Sequence, residues 1–225
     1  MSPLGNHRCY KCLCWCGLLA AYQVIPVAEA ARWQATEPEA GILRLRINNQ
    51  AGFDSKVLAQ AEEIVSKILK HAGVETIVLH CANFAVIDAA CIGAPFQPAD
   101  LLINLMPTAP VLAWGIKPDS IGLVPTATAG SGCFTVYIFR PNIEKLTKDG
   151  KVAVADHGLV LGHAIAHEIG HLLLNAPEHS VDGVMMTDWG RKAFDMARTG
   201  SLLFLRSQCK KIRAEVQARN AAMKH

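Results

Sequence analysis

In the stretch HEIGHLLLNAPEHSVDGVMM, residues 167–186, His167 and His171 stand four apart and Glu168 directly follows the first of them. On a helix this spacing puts both imidazoles on one side, one turn apart. There they can reach a single metal ion at about 2.1 Å. Glu168 would project beside such an ion rather than onto it, where a carboxylate can take a proton from metal-activated water. His163, one turn earlier, could pair with His167 instead, but Ala164 leaves that pair without an adjacent base. The three cannot serve one ion, since a straight helix at ~1.5 Å per residue separates His163 from His171 by about 12 Å. His163 is therefore assigned to packing or to support of the ligands.

A hydrolytic zinc site needs a third protein ligand and one open position. His179 is the leading candidate. The helix must end after Leu174, Asn175 tolerates the left-handed conformation, and Pro177 stops any continuation, so the chain can turn and bring residue 179 beside His171. Glu178 competes for the role, with Asp182 behind it; the preference of zinc for imidazole favours His179. The expected set is one catalytic zinc ion on His167, His171 and His179, with Glu168 as catalytic base. A competing account makes the imidazoles core or surface groups and Met185 and Met186 core filler. It must then leave an ionisable Glu168 among them with neither water nor metal to satisfy it.

With HEIGH on a helix, a third histidine at His179 and Met185 shortly after HSVDG, the chain resembles the metzincin branch of zinc metallopeptidases, in which a methionine turn underlies the metal. From about Leu159 to Leu205 it is also similar to a group of uncharacterised secreted bacterial zincin-like proteins. The resemblance implies His167, His171 and His179 as ligands, Glu168 as base and Met185 as the turn methionine. The chain departs from the family motif H-E-x-x-H-x-x-G-x-x-H in two places. Leu174 stands where the glycine belongs, with Asn175 next, and the third histidine comes two residues late. No tyrosine follows Met185, and Tyr137 is the candidate substitute for the oxyanion-stabilising tyrosine common in that family.

These residues need a scaffold. The helix carrying them is expected from near Asp156 to Leu174, with Leu161, Ile165, Ile169 and Leu172 as a buried stripe opposite the histidines. Gly162, Ala166 and Gly170 recur at four-residue steps and offer a groove where another backbone can approach. Upstream, Ile42–Asn49 alternates as a half-buried strand. A helix follows, capped by Asp54 or Ser55, with Leu58, Ala61, Ile64, Val65 and Ile68 on its apolar stripe and Gly73 past its end. Strands are expected at Thr76–Cys81, Asp100–Pro107 and Cys133–Phe139, the last ended by Arg140-Pro141. The order strand, helix, three strands, then helices indicates an α+β fold: a small mixed sheet with one covering helix, the active-site helix and C-terminal helices, metzincin-like in arrangement. The chain is read as residues 1–30, a signal peptide, followed by a single catalytic domain over residues 31–225.

The signal rests on His7, Arg8 and Lys11 before an uncharged run from Cys12 to Ala28, closed by Ala28-Glu29-Ala30. An apolar N-terminal strand or helix of a cytosolic protein is the alternative. The run is short and interrupted for a membrane span, so none is expected after processing. The cysteines of CYKCLCWC lack a second ligand pair at finger-like spacing, and a zinc site there is not favoured. Cys81, Cys91, Cys133 and Cys209 remain, enough for two bridges in an oxidising compartment. Cys81 with Cys91 is the first pairing to test, and closing that loop would contribute about 3 kcal/mol. A net charge of +3 without a basic block gives no reason to invoke nucleic acid. The expectation is a secreted or periplasmic zinc metalloendopeptidase acting on a peptide or protein substrate, with an extended substrate added at the edge of the strand Cys133–Phe139. The rival functions are a zinc-binding domain without turnover and a metal-free protein-interaction domain.

Overall fold

The structure, a computed structural model, describes residues 41–93, 95–125, 134–147, 156–175, 179–187 and 189–224. These fall within the compact unit Glu39–His225. The signal segment, CYKCLCWC, Cys133, Pro177 and Glu178 therefore lie outside the described residues.

Alternation shapes β1 (Gly41–Asn49): Leu43, Leu45 and Ile47 are buried on one face, and Arg44, Arg46 and Asn48 occupy the other. Asp54 caps the first helix, α1 (Ser55–His71), its carboxylate accepting the Val57 N–H at 2.9 Å. Leu58, Ala61, Val65, Ile68 and Leu69 of α1 are buried, while Ile64 is only partly covered. Gly73, at φ +79°, turns the chain into β2 (Val74–Ala82) beside β1. β3 (Asp100–Met106) and β5 (Thr135–Phe139) continue the sheet in parallel, and the two-residue β4 (Gly122–Leu123) runs antiparallel to β5. The order across the sheet is β2-β1-β3-β5-β4. Register places Leu45 beside Leu101, Ile47 beside Ile103 and Leu105 beside Ile138, so a continuous apolar surface faces the helices.

Two details depart from the expected order. A short helix α2 (Val111–Trp114) and β4 intervene between the third and fourth predicted strands, so β5 is an inner strand and the edge belongs to β4. Arg140-Pro141 does end β5, but by starting a helix, α3 (Arg140–Leu146); proline is tolerated in a first turn because its missing N–H would have no helical partner there.

The predicted active-site helix is α4 (His157–Leu174). It is buried on every side from Gly158 to Gly170, not along one stripe, because α1, the sheet, the C-terminal helix and the following loop surround it. The small-residue row explains how. A Cβ on Gly162 would stand 2.7 Å from the Ala61 carbonyl oxygen of α1, and one on Gly170 would meet Met185 and Phe204. The row thus admits α1 at one end and Met185 at the other. Beyond it lie α5 (Arg191–Arg198) and α6 (Arg206–Ala221). The Asn220 side chain of α6 pairs with both backbone groups of Ile42, accepting its N–H at 3.1 Å and donating to its carbonyl at 2.9 Å.

Cys81 and Cys91 form the expected bridge, whereas Cys209 is a buried free thiol, so the second bridge that the four cysteines allowed is not formed. Among the described residues no helix is long and apolar enough to cross a membrane.

Candidate metal centre

α4 carries two of the three candidate ligands one turn apart, and their Nε2 atoms lie 3.1 Å from each other. Asn175, at φ 48° and ψ 44°, ends the helix in the left-handed conformation, its N–H bonded to the His171 carbonyl. This is the conformation that asparagine, nearly alone among non-glycine residues, adopts routinely. His179 then stands beside both helical histidines, its ring centroid 5.2 Å from that of His167 and 4.8 Å from that of His171. One ligand nitrogen from each of the three lies within 4.8 Å of the others.

The turn that presents His179 is closed by its own backbone. The Ser180 N–H donates to the Met185 carbonyl at 2.9 Å, Gly183 adopts φ +79°, and the Val184 N–H donates to the Leu203 carbonyl at 2.9 Å. Met185, fully buried, packs against α4 at Gly170, directly before His171. Asp182 is turned away from the cluster and pairs with Lys192 at 2.7 Å. His163 is also apart from it; its Nδ1 donates to the Leu159 carbonyl at 2.9 Å and its ring is buried.

Tautomer and charge follow from these partners. His167 Nδ1 donates to the Val184 carbonyl at 2.7 Å, which leaves the Nε2 lone pair facing the other two rings. Burial pushes the His167 pKa down to about 4, with the neighbouring His171 and His179 adding to the effect. His179 is lowered too, first by desolvation and then by His171 and Lys117. Both are therefore neutral at neutral pH, the form in which an imidazole can bind a metal. Two nitrogens of a tetrahedral zinc site stand about 3.4 Å apart when each is ~2.1 Å from the ion. The 3.1 Å between the helical Nε2 atoms is close to that, and the all-imidazole donor set suits zinc.

The Glu168 side chain lies beside β4. A Cβ on Gly122 would lie 2.7 Å from Glu168 Cγ and 2.8 Å from its Oε1. Buried there, the carboxyl has its pKa raised to about 8 by desolvation.

The fold is shared with a zinc-dependent peptidase. The match is to the crystal structure of the zinc-dependent peptidase from Methanocorpusculum labreanum (strain Z), with a TM-score of 0.50 and 14% sequence identity, covering 76% of this chain and 100% of that one. No protein-family profile and no curated protein matches the sequence.

Tyr137 does not approach the cluster. Its side chain lies on the sheet face opposite Val136 and Ile138, in edge contact with Trp114 at 4.8 Å between centroids. It is therefore no substitute for the tyrosine absent after Met185. Sequence reasoning also missed the Val184 carbonyl, which carries no residue-type signal, and Gly122. For the latter a signal existed: an isolated glycine between Ile121 and Leu123 marks a place where another group approaches a strand closely. Beside His179, an open cleft of about 390 Å³ is lined by Ser180, Val181, Met186 and Thr187, none of them charged.

Proposed function

We propose that this chain is a zinc-dependent peptidase of the metzincin type, holding one zinc ion on His167, His171 and His179, with Glu168 as general base. The observation that carries the reading is the meeting of three imidazole nitrogens within 4.8 Å of one another, two of them on a helix where the residue after the first of these histidines carries a buried carboxyl group. The shared fold with a protein described as a zinc-dependent peptidase supports it. When bound, zinc supplies Lewis acidity that activates water and polarises a peptide carbonyl. Glu168 takes the proton of the attacking water and passes it to the departing amine. The Val184 carbonyl keeps His167 in the ligating tautomer throughout. An extended peptide adds to the free edge of β4, the outermost strand of the sheet, and places an uncharged side chain in the cleft beside His179.

Export to the periplasm or the medium, directed by residues 1–30, belongs to the same reading and is supported by the Cys81–Cys91 bridge. A zinc-binding domain without turnover is the alternative, and the position of Tyr137 away from the cluster favours it. Purified protein analysed for metal and assayed on a mixture of unstructured peptides separates the two. Stoichiometric zinc with hydrolysis that Glu168→Gln abolishes, zinc being retained, supports the peptidase. Stoichiometric zinc without hydrolysis favours the alternative, and protein that takes up no zinc removes both.

A further inference from the structure

β4 is only two residues long, yet it lies where the candidate base is housed. Gly122 is the residue through which it touches α4: a Cβ there would fall 2.7 Å from Glu168 Cγ, 2.8 Å from Glu168 Oε1 and 2.7 Å from the Tyr137 carbonyl oxygen. Its φ lies outside the left-handed region, so backbone conformation does not demand glycine at this position; space does. The strand cannot easily retreat to make that space. The Phe139 N–H donates to the Ile121 carbonyl at 2.9 Å, holding β4 against β5. On the other side of the turn, the buried amide of Asn142, at the start of α3, donates to the Pro118 carbonyl at 3.0 Å and the Ser120 carbonyl at 2.7 Å. The segment entering β4 is thereby tied to the same helix that follows β5.

We propose that Gly122 is a positioning residue for Glu168: its missing side chain forms the slot in which the carboxyl rests, and the Asn142 clamp keeps the wall of that slot in place. This rests on the reading of Glu168 as base. A methyl group at position 122 meets atoms about 1 Å inside the ordinary contact distance of ~3.5–4.0 Å. Two of the three close contacts are to the Glu168 side chain and are relieved only if the carboxyl moves; the third, to the Tyr137 carbonyl, is to backbone and is relieved by a small local shift of β4. Misplacing a reacting group by ~1 Å costs on the order of 10²-fold in rate.

The test is Gly122→Ala in the full chain, read in two ways. With zinc loaded, kcat on a cleaved peptide falls on the order of 10²-fold, while zinc stoichiometry and KM stay near those of the wild type. In crystals of the metal-free variant, the Glu168 carboxyl is displaced and the rings of His167, His171 and His179 are not. An unchanged kcat, a loss of activity that follows loss of zinc, or a carboxyl left in place with β4 shifted away from β5 overturns the proposal. Should the wild type bind zinc and cleave nothing, the peptidase reading fails, and the metal-free crystal comparison still decides whether Gly122 sets the place of the carboxyl.

Discussion

The ring of His167 is held by the carbonyl of Val184, 2.7 Å from its Nδ1 and seventeen residues further along the chain. One hydrogen bond thus connects the helix that supplies two candidate ligands to the turn that supplies the third. It decides which ring nitrogen of His167 faces the other two histidines and ties the turn's geometry to the cluster.

Gly183→Ala should therefore weaken zinc binding without touching a ligand. Gly183 sits at φ +79°, and its Cβ would stand 2.6 Å from the Leu203 carbonyl that holds the Val184 N–H. Moving that segment moves the Val184 carbonyl. We expect zinc affinity to fall about 10- to 100-fold, as for other lost supports of a ligating histidine. Competition with a chromophoric chelator measures it, and wild-type affinity in the variant would count against the role given to Val184.

Metal-free protein should lose stability as pH rises from about 6.5 to 8. Burial raises the pKa of Glu168 to about 8, so the folded state keeps a proton that the unfolded chain releases above about 4.3. Stability contributed by that proton is lost as pH rises towards 8. Burial lowers His167 to about 4, so below about 6.5 the unfolded chain takes up a proton that the folded state refuses, and stability falls as pH drops. His163 and His179 act in the same direction as His167. Between about 6.5 and 8 the Glu168 effect dominates, with a slope of up to about 1.4 kcal/mol per pH unit. Denaturant unfolding of chelator-treated protein should show this decline in the wild type and its absence in Glu168→Gln; parallel profiles would refute the assignment.

Asn175→Gly should be close to neutral and Asn175→Ala destabilising. The residue occupies φ 48°, ψ 44°, a region that costs alanine roughly 1–2 kcal/mol and glycine little. Because the same cap launches the turn towards His179, the alanine variant should also bind zinc more weakly. Thermal unfolding of the two zinc-free variants side by side tests the first point, and equal midpoints would contradict it.

Opening the Cys81–Cys91 bridge should cost about 3 kcal/mol, the loop-entropy value for a short closed loop. The cluster is remote from the bridge in sequence, so zinc stoichiometry of the paired Cys81→Ser and Cys91→Ser variant should be unchanged. Unfolding midpoints with metal content measured on the same sample examine both statements.

Much of this architecture is written in local pattern. The alternation of β1, the Asp54 cap and stripe of α1, the four-residue spacing of His167 and His171, and the left-handed Asn175 each depend on neighbours a few residues away, and each appears where the sequence puts it. The close pairing of Cys81 with Cys91 is likewise a short-range feature. The row Gly162, Ala166, Gly170 announced a close approach, though not that α1 would use one end and Met185 the other.

Other features exist only once distant segments meet. β4 is too short to show a period, so its place at the sheet edge, and with it the inner position of β5, comes from hydrogen bonding to β5 and from the Asn142 amide that holds the segment entering it. The covering of α4 on all sides reflects how many elements pack around it, which its own residues do not state. By itself the sequence determined the types and helical spacing of the chemical groups, because helix periodicity and turn preference act over one or two turns of chain. Only the tertiary structure decided that His179 completes the cluster, that Val184 orients His167 and that Gly122 receives Glu168. Those are contacts across seventeen or more residues or between separate elements, where backbone path and packing, rather than local preference, set the distances.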